Sequence, residues 1–234
     1  MEPSLYHISM LDLLWVAIPV VIMMVIYIRW TQDKATLFYA LFRMLIQLLL
    51  IGYVLTYIFA SDSPYLVVLI LSVMLIAASI IALRPMQKKD KSLYLKAFIS
   101  IFVGGIFTLV MVIFGVLNLN PWYEAKFLIP LAGMIFANSM NAVSISAERY
   151  ESEVQRDNGY TQARAIAYKA SLIPIINALF AVGLVSLPGM MTGQILSGVD
   201  PLIAVRYQMM VMLMILGSAG ISVAIYLFLL KKKL

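Results

Sequence analysis

Seven apolar segments, separated by short polar stretches, dominate the pattern of this 234-residue chain. Most of them are about 17–25 residues long, which lets a helix cross a hydrocarbon core of about 30 Å. The pattern therefore predicts an all-α, polytopic membrane protein with seven transmembrane helices. The segments are Leu11–Ile28, Leu37–Phe59, Tyr65–Leu83, Ala97–Leu117, Phe127–Ala147, Ser171–Leu187 and Val205–Leu230.

The basic residues fall almost entirely on alternate sides of these segments. Only Lys126 and Arg206 lie on the poorer side, against fourteen on the other. The positive-inside rule makes the richer side cytoplasmic, so the N-terminus is predicted outside and the C-terminus inside. An even number of crossings would break the alternation. The fourteen are Arg29, Lys34, Arg84, Lys88, Lys89, Lys91, Lys96, Arg149, Arg156, Arg164, Lys169, Lys231, Lys232 and Lys233.

Composition agrees with a single membrane domain over residues 1–234 embedded in a lipid bilayer. Hydrophobic residues make up 63% of the chain, and the loops are too short for a separate soluble domain. The net charge of +6 follows from the cytoplasmic loops and suits anionic lipid, so no nucleic-acid partner is expected.

Missing residue types argue against several functions of membrane proteins. A retinal protein needs a lysine within its last helix, and the last segment has none. His7 is the only histidine, so the paired histidines of a zinc-dependent membrane protease are absent. No carboxylate lies deep in a segment to relay protons or form an aspartyl dyad. No phosphate-binding loop is present, so any ATP is hydrolysed by another polypeptide. We therefore expect a protein that is not an enzyme and needs no cofactor, and no metal ligands are identified.

Polar residues within the segments are the first candidates for a substrate pathway, because such residues usually face the interior of a helix bundle. Arg43 and Gln47 are spaced i,i+4 in the second segment. Arg43 either extends back to the headgroups or lines a cavity. Asn138 and Asn141 in the fifth segment, and Asn177 in the sixth, either bond a neighbouring helix or line a path.

The stretch 187–201 is too apolar for a free loop and too rich in Gly and Pro for a continuous helix. We predict a broken or re-entrant segment opening to the outside. Gly189 and Gly193 permit backbone angles with positive φ that other residues disfavour. The alternative is an external loop on the bundle. Asp200-Pro201 predicts a turn before the last helix. The pathway candidates here are Met190, Met191, Thr192 and Gln194.

Residues 148–170 form the longest predicted cytoplasmic loop, with dense charge of both signs. Asn158-Gly159 predicts a helix stop, and Thr161 is a candidate cap for a second short helix. A helix–turn–helix projection suits docking of a soluble partner. The candidate coupling residues are Glu148, Arg149, Glu151, Arg156 and Arg164.

Two blocks of this sequence closely resemble the FetB-type ABC transporter permeases: the run Gly183–Leu196 continued by Asp200-Pro201, and Asn138-Ser139-Met140-Asn141 followed by Glu148-Arg149. The resemblance implies the bacterial plasma (inner) membrane, a separate ATP-binding subunit, and roles in iron export, metal resistance and oxidative stress. Plant relatives are linked to aluminium tolerance. The stretch 161–170 is shorter than expected for the family, so a coupling role transfers to this loop only loosely.

The expected function is the membrane-spanning permease subunit of an ATP-driven ABC exporter, with two copies pairing with two ATP-binding subunits. Iron, another metal or a metal chelate is the expected substrate. Because the segments contain no Cys, His or deep carboxylate, a chelate or an organic molecule fits better than bare Fe²⁺. The alternative is a non-transporting scaffold or ligand sensor that docks a cytoplasmic partner through loop 148–170.

Overall fold

The computed structural model describes residues 9, 11–33, 35–59, 61, 63–86 and 90–231. These residues form eight α-helices and one π-helical stretch, Met111–Leu117, that continues α4. Seven of the helical stretches are long and apolar enough to cross a membrane, which confirms the all-α architecture and the number of spans. The helices are α1 (Leu13–Thr31), α2 (Ala35–Phe59), α3 (Pro64–Ala82), α4 (Lys91–Val110), α5 (Ala125–Gln155), α6 (Tyr160–Ala181), α7 (Gly189–Leu196) and α8 (Pro201–Leu229).

The chain divides into two compact units, Met1–Ser61 and Asp62–Leu234. The first contains α1 and α2, and the second contains α3 to α8. The single domain over 1–234 and the N-out, C-in orientation stay predictions. Five of the fourteen basic residues used for the orientation lie outside the described residues: Lys34, Lys88, Lys89, Lys232 and Lys233.

In the first unit, Asp33 organises the start of α2. Its carboxylate oxygen Oδ1 accepts hydrogen bonds from the backbone N–H groups of Ala35 at 3.1 Å and Thr36 at 3.0 Å. These donors have no partner within the helix, so the carboxylate satisfies them. The bonds from Thr36 lower the pKa of the exposed Asp33 carboxyl.

In the second unit, α5 and α8 form the centre: α8 packs against α4, α5, α6 and α7, and α5 also packs against α3 and α4. Small residues permit the closest of these contacts. A Cβ on Gly104 would overlap the Ser222 side chain of α8, and one on Gly105 would lie 2.9 Å from the Phe136 ring of α5. Close approach through small residues is how helices pack in a membrane.

The loop predicted to be cytoplasmic is shorter than expected, because both flanking helices extend into it. Helix α5 continues to Gln155 and α6 already begins at Tyr160, with a short turn between them. The helix stop at Asn158-Gly159 is confirmed. The capping role predicted for Thr161 is wrong, since Gly159 occupies the N-cap position and Thr161 is the second residue of α6.

The segment after α6 is broken, as predicted. Helix α6 ends at Ala181, six residues before the predicted limit, and the short helix α7 follows a non-helical stretch at 182–188. Gly189 and Gly193 do not use the positive φ that glycine permits, because both lie in α7 in ordinary helical geometry. Gly183 and Gly198 carry positive φ instead, at 81° and 87°. Re-entry into the membrane stays a prediction.

The turn predicted at Asp200-Pro201 is confirmed as the start of α8. The Asp200 carboxylate Oδ1 accepts from the backbone N–H groups of Leu202 at 2.8 Å and Ile203 at 3.4 Å. Pro201 occupies the first helical position, where its missing N–H costs nothing. The last helix therefore begins four residues before the apolar segment that predicted it.

Candidate functional site

Two cavities lie beside α7, and its adjacent methionines line one each. The first, here called the Lys126 cavity, has a volume of about 310 Å³. The second, the Gln208 cavity, has a volume of about 420 Å³. The Lys126 cavity is lined by Leu117, Lys126, Phe127, Pro130, Leu131, Met134, Met190, Tyr207 and Met210. The Gln208 cavity is lined by Leu179, Val182, Gly183, Met191, Val205, Gln208, Met209, Met212 and Leu213.

The Gln208 cavity combines an apolar wall with one amide. Gln208 is only 6% exposed, and its Oε1 finds no hydrogen-bond donor among the described residues. A buried amide oxygen without a donor carries a desolvation cost of about 1–3 kcal/mol. Met191, Met209 and Met212 supply flexible, polarisable thioethers that adapt to irregular ligands. The cavity can therefore take an apolar ligand that also satisfies an amide.

The Lys126 cavity has a different electrostatic character. It also contains three methionines, Met134, Met190 and Met210, but its other lining residues include the exposed, charged Lys126 and the half-buried Tyr207. A positive charge beside the cavity disfavours a cation inside. The two cavities are thus matched in thioether content and differ in charge.

Thr192 and Gln194 line neither cavity. The Thr192 hydroxyl donates to the backbone oxygen of Pro188 at 3.1 Å, one turn earlier in the chain. The Gln194 side-chain oxygen is buried without a donor in the described part of the chain. Of the four candidates in α7, the structure therefore places only Met190 and Met191 on cavity walls, and it places them on different ones.

Within the part of the chain that the structure describes, no hydrogen bond joins the asparagines of α5 and α6 to a neighbouring helix. The Asn138 amide donates to the backbone oxygen of Met134 in its own helix at 2.8 Å. Asn141 and Asn177 are exposed, and none of the three lines either cavity. The core-facing side of α5 carries Ser139 and other small residues instead. Amide groups at exposed positions within spanning helices are costly against lipid.

Arg43 and Gln47 belong to the first unit and interact with each other. With the Gln47 amide oxygen facing Arg43, it accepts from Nε at 3.0 Å and from Nη2 at 3.3 Å. Both residues lie on α2, one turn apart, as their i,i+4 spacing requires. The guanidinium group is therefore partly satisfied within its own helix.

Glu153 is the organising residue of the turn between α5 and α6, and it was not among the sequence candidates. Its side chain is 3% exposed. It forms an ion pair with Arg149 at 2.7 Å, accepts from Arg156 at 3.4 Å, and accepts from the Asn158 amide at 2.6 Å. Three donors on one buried carboxylate fix the end of α5 to the turn.

Only two of the five predicted coupling residues bind the Glu153 carboxylate. Arg149 and Arg156 bind Glu153, whereas Glu148 is exposed on the opposite side of α5 and Glu151 is half-buried. Arg164 lies over the Tyr160 ring, 5.3 Å from its centroid, in a cation–π arrangement. The charged turn is therefore a small ordered structure at the junction of α5 and α6.

Two signals for the missed residues were present in the sequence. Glu153 stands four residues after Arg149 and three before Arg156, the helical spacing of an ion pair. The methionines of α8 form a dense run at 209–214. Neither signal shows which side chains are buried, so neither distinguishes an organising residue from a solvated one.

Among the residues that the structure describes, no group of three or more His, Cys, Asp or Glu side chains is placed to hold a metal ion.

Comparison with known proteins gives consistent results over most of the chain. The family described as "Uncharacterised protein family (UPF0014)" matches residues 10–234. The chain is 38% identical over 210 residues to the Escherichia coli (strain K12) protein named "Probable iron export permease protein FetB", covering 82% of this chain and 78% of that protein. It is 37% identical over 195 residues to the UPF0014 membrane protein slr1647 of Synechocystis, covering 77% and 75%.

A plant protein is also similar. The chain is 28% identical over 221 residues to the Arabidopsis thaliana protein ALUMINUM SENSITIVE 3, covering 87% of this chain and 80% of that protein. No solved structure matches the chain. Seven apolar helices and these membrane-protein relatives make it a multi-pass integral membrane protein, and an inner-membrane location fits the bacterial permeases.

Proposed function

This chain belongs to the UPF0014 family, and from that membership we propose that it is the membrane-spanning permease subunit of an ATP-driven ABC exporter. The name of the E. coli relative, an iron export permease, supports transport rather than enzymatic activity. We propose iron, another metal or a metal chelate as the substrate, with metal resistance and protection from oxidative stress as the consequences. A separate ATP-binding subunit hydrolyses the ATP, and two permease chains form the pathway.

The observation that carries this proposal is the ordered turn at the end of α5. This helix has 31 residues and is about 47 Å long at 1.5 Å per residue. It therefore extends well beyond a hydrocarbon core of about 30 Å. Glu153 holds the turn to the projecting end. A rigid projection of this kind suits transmission of force from a soluble partner into the membrane.

Helices α5 and α6, which flank this turn, also contribute to the walls of the two cavities. Residues of α5 from Lys126 to Met134 line the Lys126 cavity, and Leu179 near the end of α6 lines the Gln208 cavity. A displacement of the turn would thus move walls of both cavities. We place the ATP-binding subunit against the exposed surface of the turn, which includes Val154, Gln155 and Asp157.

The exposed asparagines support the pairing of two permease chains. Asn141 and Asn177 are exposed on helices long and apolar enough to span a membrane, where lipid would be an unfavourable neighbour for an amide. Contact with a second copy, or with a water-filled path between copies, removes that cost. We propose Asn138, Met190, Met191 and Gln194 as pathway residues of the second unit, with Thr192 holding α7 in shape through its bond to Pro188. Arg43 and Gln47, on α2 of the first unit, are further candidates.

The experiment is reconstitution of this chain with its co-encoded ATP-binding subunit in proteoliposomes. ATP-dependent movement of iron, together with ATP turnover that depends on this chain, supports the proposal. A catalytically inactive ATP-binding subunit is the control. If the partner binds stoichiometrically but iron, other metals and chelates neither move nor alter ATP turnover, the chain is a scaffold or sensor instead.

A further inference from the structure

We propose that the Gln208 cavity is a binding site for an uncharged, mostly apolar molecule that bears a hydrogen-bonding group, and that in the exporter this ligand is a neutral metal chelate. This inference deepens the proposed function and rests on it for the identity of the cargo as a chelate. The binding site itself is argued from the cavity alone.

Size is the first step of the argument. The cavity volume of about 420 Å³ lies within the range of about 300–1,000 Å³ typical of small-molecule sites. A bare metal ion would leave most of that space empty. The walls would have to collapse around the ion to bring several donors within bonding distance.

The chemistry of the wall is the second step. No lining residue carries a charge, and Gln208 is the only lining side chain with a nitrogen or oxygen. A bare divalent cation entering such a cavity loses its hydration without gaining a carboxylate or imidazole ligand, which is strongly unfavourable. A neutral ligand pays no such cost. Its apolar surface is accommodated by Met191, Met209 and Met212, whose flexible thioethers adapt to its shape.

Gln208 supplies the specificity. Its side chain is more than nine-tenths buried and its Oε1 has no donor in the described structure. Gln208 lines the cavity, and a small turn of its amide would present this buried oxygen to a ligand donor. A ligand that makes this bond removes an existing desolvation cost, whereas a purely apolar molecule leaves that cost in place. The Lys126 cavity lacks this feature and carries a positive charge, so it serves as the internal comparison.

The test measures how three iron species of different net charge bind to the full chain in lipid nanodiscs, without ATP or the partner subunit. The probes are the neutral tris(maltolato)iron(III) complex, anionic iron(III) citrate, and iron(II) sulfate kept reduced with ascorbate. Radioactive iron retained by empty nanodiscs is subtracted. We expect saturable binding of the neutral complex only. Excess maltol without metal tests whether the organic shell is what the site recognises, and competition by it supports the proposal.

Three variants locate the site. Gln208→Leu should weaken binding of the neutral complex about tenfold while the melting temperature holds or rises, because an unsatisfied polar group is replaced by an apolar one. Met191→Trp should abolish binding by filling the cavity. Met210→Ala, in the Lys126 cavity, should leave binding unchanged.

Saturable binding of iron(II) alone would overturn the inference, as would binding of the neutral complex that survives both Gln208→Leu and Met191→Trp. Failure of the proposed function is distinguishable from failure of the site. If only the proposed function fails, the neutral complex still binds at this cavity, but the reconstituted pair neither transports the complex nor changes its ATP turnover.

Discussion

The Tyr160 hydroxyl donates a hydrogen bond of 3.0 Å to the backbone oxygen of Leu227, joining residues 67 positions apart. Tyr160 is the first residue of α6, and Leu227 lies in the last turn of α8. The bond satisfies one of the carbonyl groups that a helix end leaves without a partner. It also ties the turn between α5 and α6 directly to α8, whose other half carries Gln208.

Tyr160→Phe should separate coupling from folding. The variant loses one hydrogen bond, so the free energy of unfolding should fall by about 1 kcal/mol, while the ring remains beneath Arg164. We expect ATP turnover of the co-purified partner to lose its dependence on this subunit by several-fold. The measurement is ATP turnover beside thermal unfolding in detergent. Unchanged coupling would show that the contact only closes the helix end.

Glu153→Gln should loosen the turn more than any change at Glu148. The amide keeps the size of the carboxylate but loses the charge-assisted bonds with Arg149 and Arg156. The expected cost is about 2 kcal/mol, in the range for hydrogen bonds to charged groups, because both arginines are partly exposed. Co-purification of the ATP-binding subunit should decrease.

The matched control is Glu148→Gln, which removes an exposed carboxylate from the same helix. It should change neither stability nor partner binding beyond about 0.5 kcal/mol. Equal losses in both variants would mean that the charge of the helix end matters, rather than the buried contact.

Hydropathy predicted the spans well and the helix limits less well, for one physical reason. The apolar segments Phe127–Ala147 and Ser171–Leu187 mark what lipid can cover, whereas α5 and α6 are defined by backbone hydrogen bonds. Both helices therefore continue through the charged residues of the loop that joins them. At the other end of α6, Gly183 turns the chain although the sequence stays apolar.

The candidate site was only partly predictable, because the sequence gives residue types but not the direction of side chains. Met190 and Met191 were predicted together as pathway candidates, but adjacent residues of a helix point about 100° apart, and they line separate cavities. Gln208 was not among the sequence candidates. Its burial beside a cavity depends on how α6, α7 and α8 pack, which no local pattern contains.

Membrane orientation can be tested by cysteine labelling, since the chain has no cysteine of its own. Gln155 and Ser197 are both exposed, and the predicted topology places them on opposite sides of the membrane. Each is replaced by cysteine in a separate variant, Gln155→Cys and Ser197→Cys. In intact cells, a membrane-impermeant maleimide should label the cysteine at 197 but reach the one at 155 only after the membrane is opened. The reverse pattern would overturn the N-out, C-in prediction.

Gly104→Ala should destabilise the second unit although it adds a single methyl group. The new Cβ would overlap the Ser222 side chain and lie 2.8 Å from the Ser222 backbone nitrogen. Overpacking of this kind costs about 1–3 kcal/mol. Gly115→Ala is the control, because a Cβ there meets no atom within 4 Å. Thermal unfolding of both variants in the same detergent provides the comparison, and equal melting temperatures would contradict the close α4–α8 contact.

The segment after α6 allows backbone strain to be separated from ligand binding. Gly183 has φ of +81°, so Gly183→Ala should cost about 1–2 kcal/mol through strain alone, since its Cβ would meet open space. Gly193→Ala lies in a helix with open space around it and should be neutral or slightly stabilising.

Met191→Ala and Thr192→Ala, adjacent in α7, then distinguish the cavity wall from the rest of that helix. Met191 lines the Gln208 cavity, whereas Thr192 bonds only to Pro188. We expect Met191→Ala to reduce transport several-fold with little change in melting temperature, because the side chain is only partly buried. Thr192→Ala should leave transport within about twofold of the parent chain, as a lost local hydrogen bond is worth about 1 kcal/mol or less. Equal transport in both variants, at equal abundance in the membrane, would remove the Gln208 cavity from the pathway.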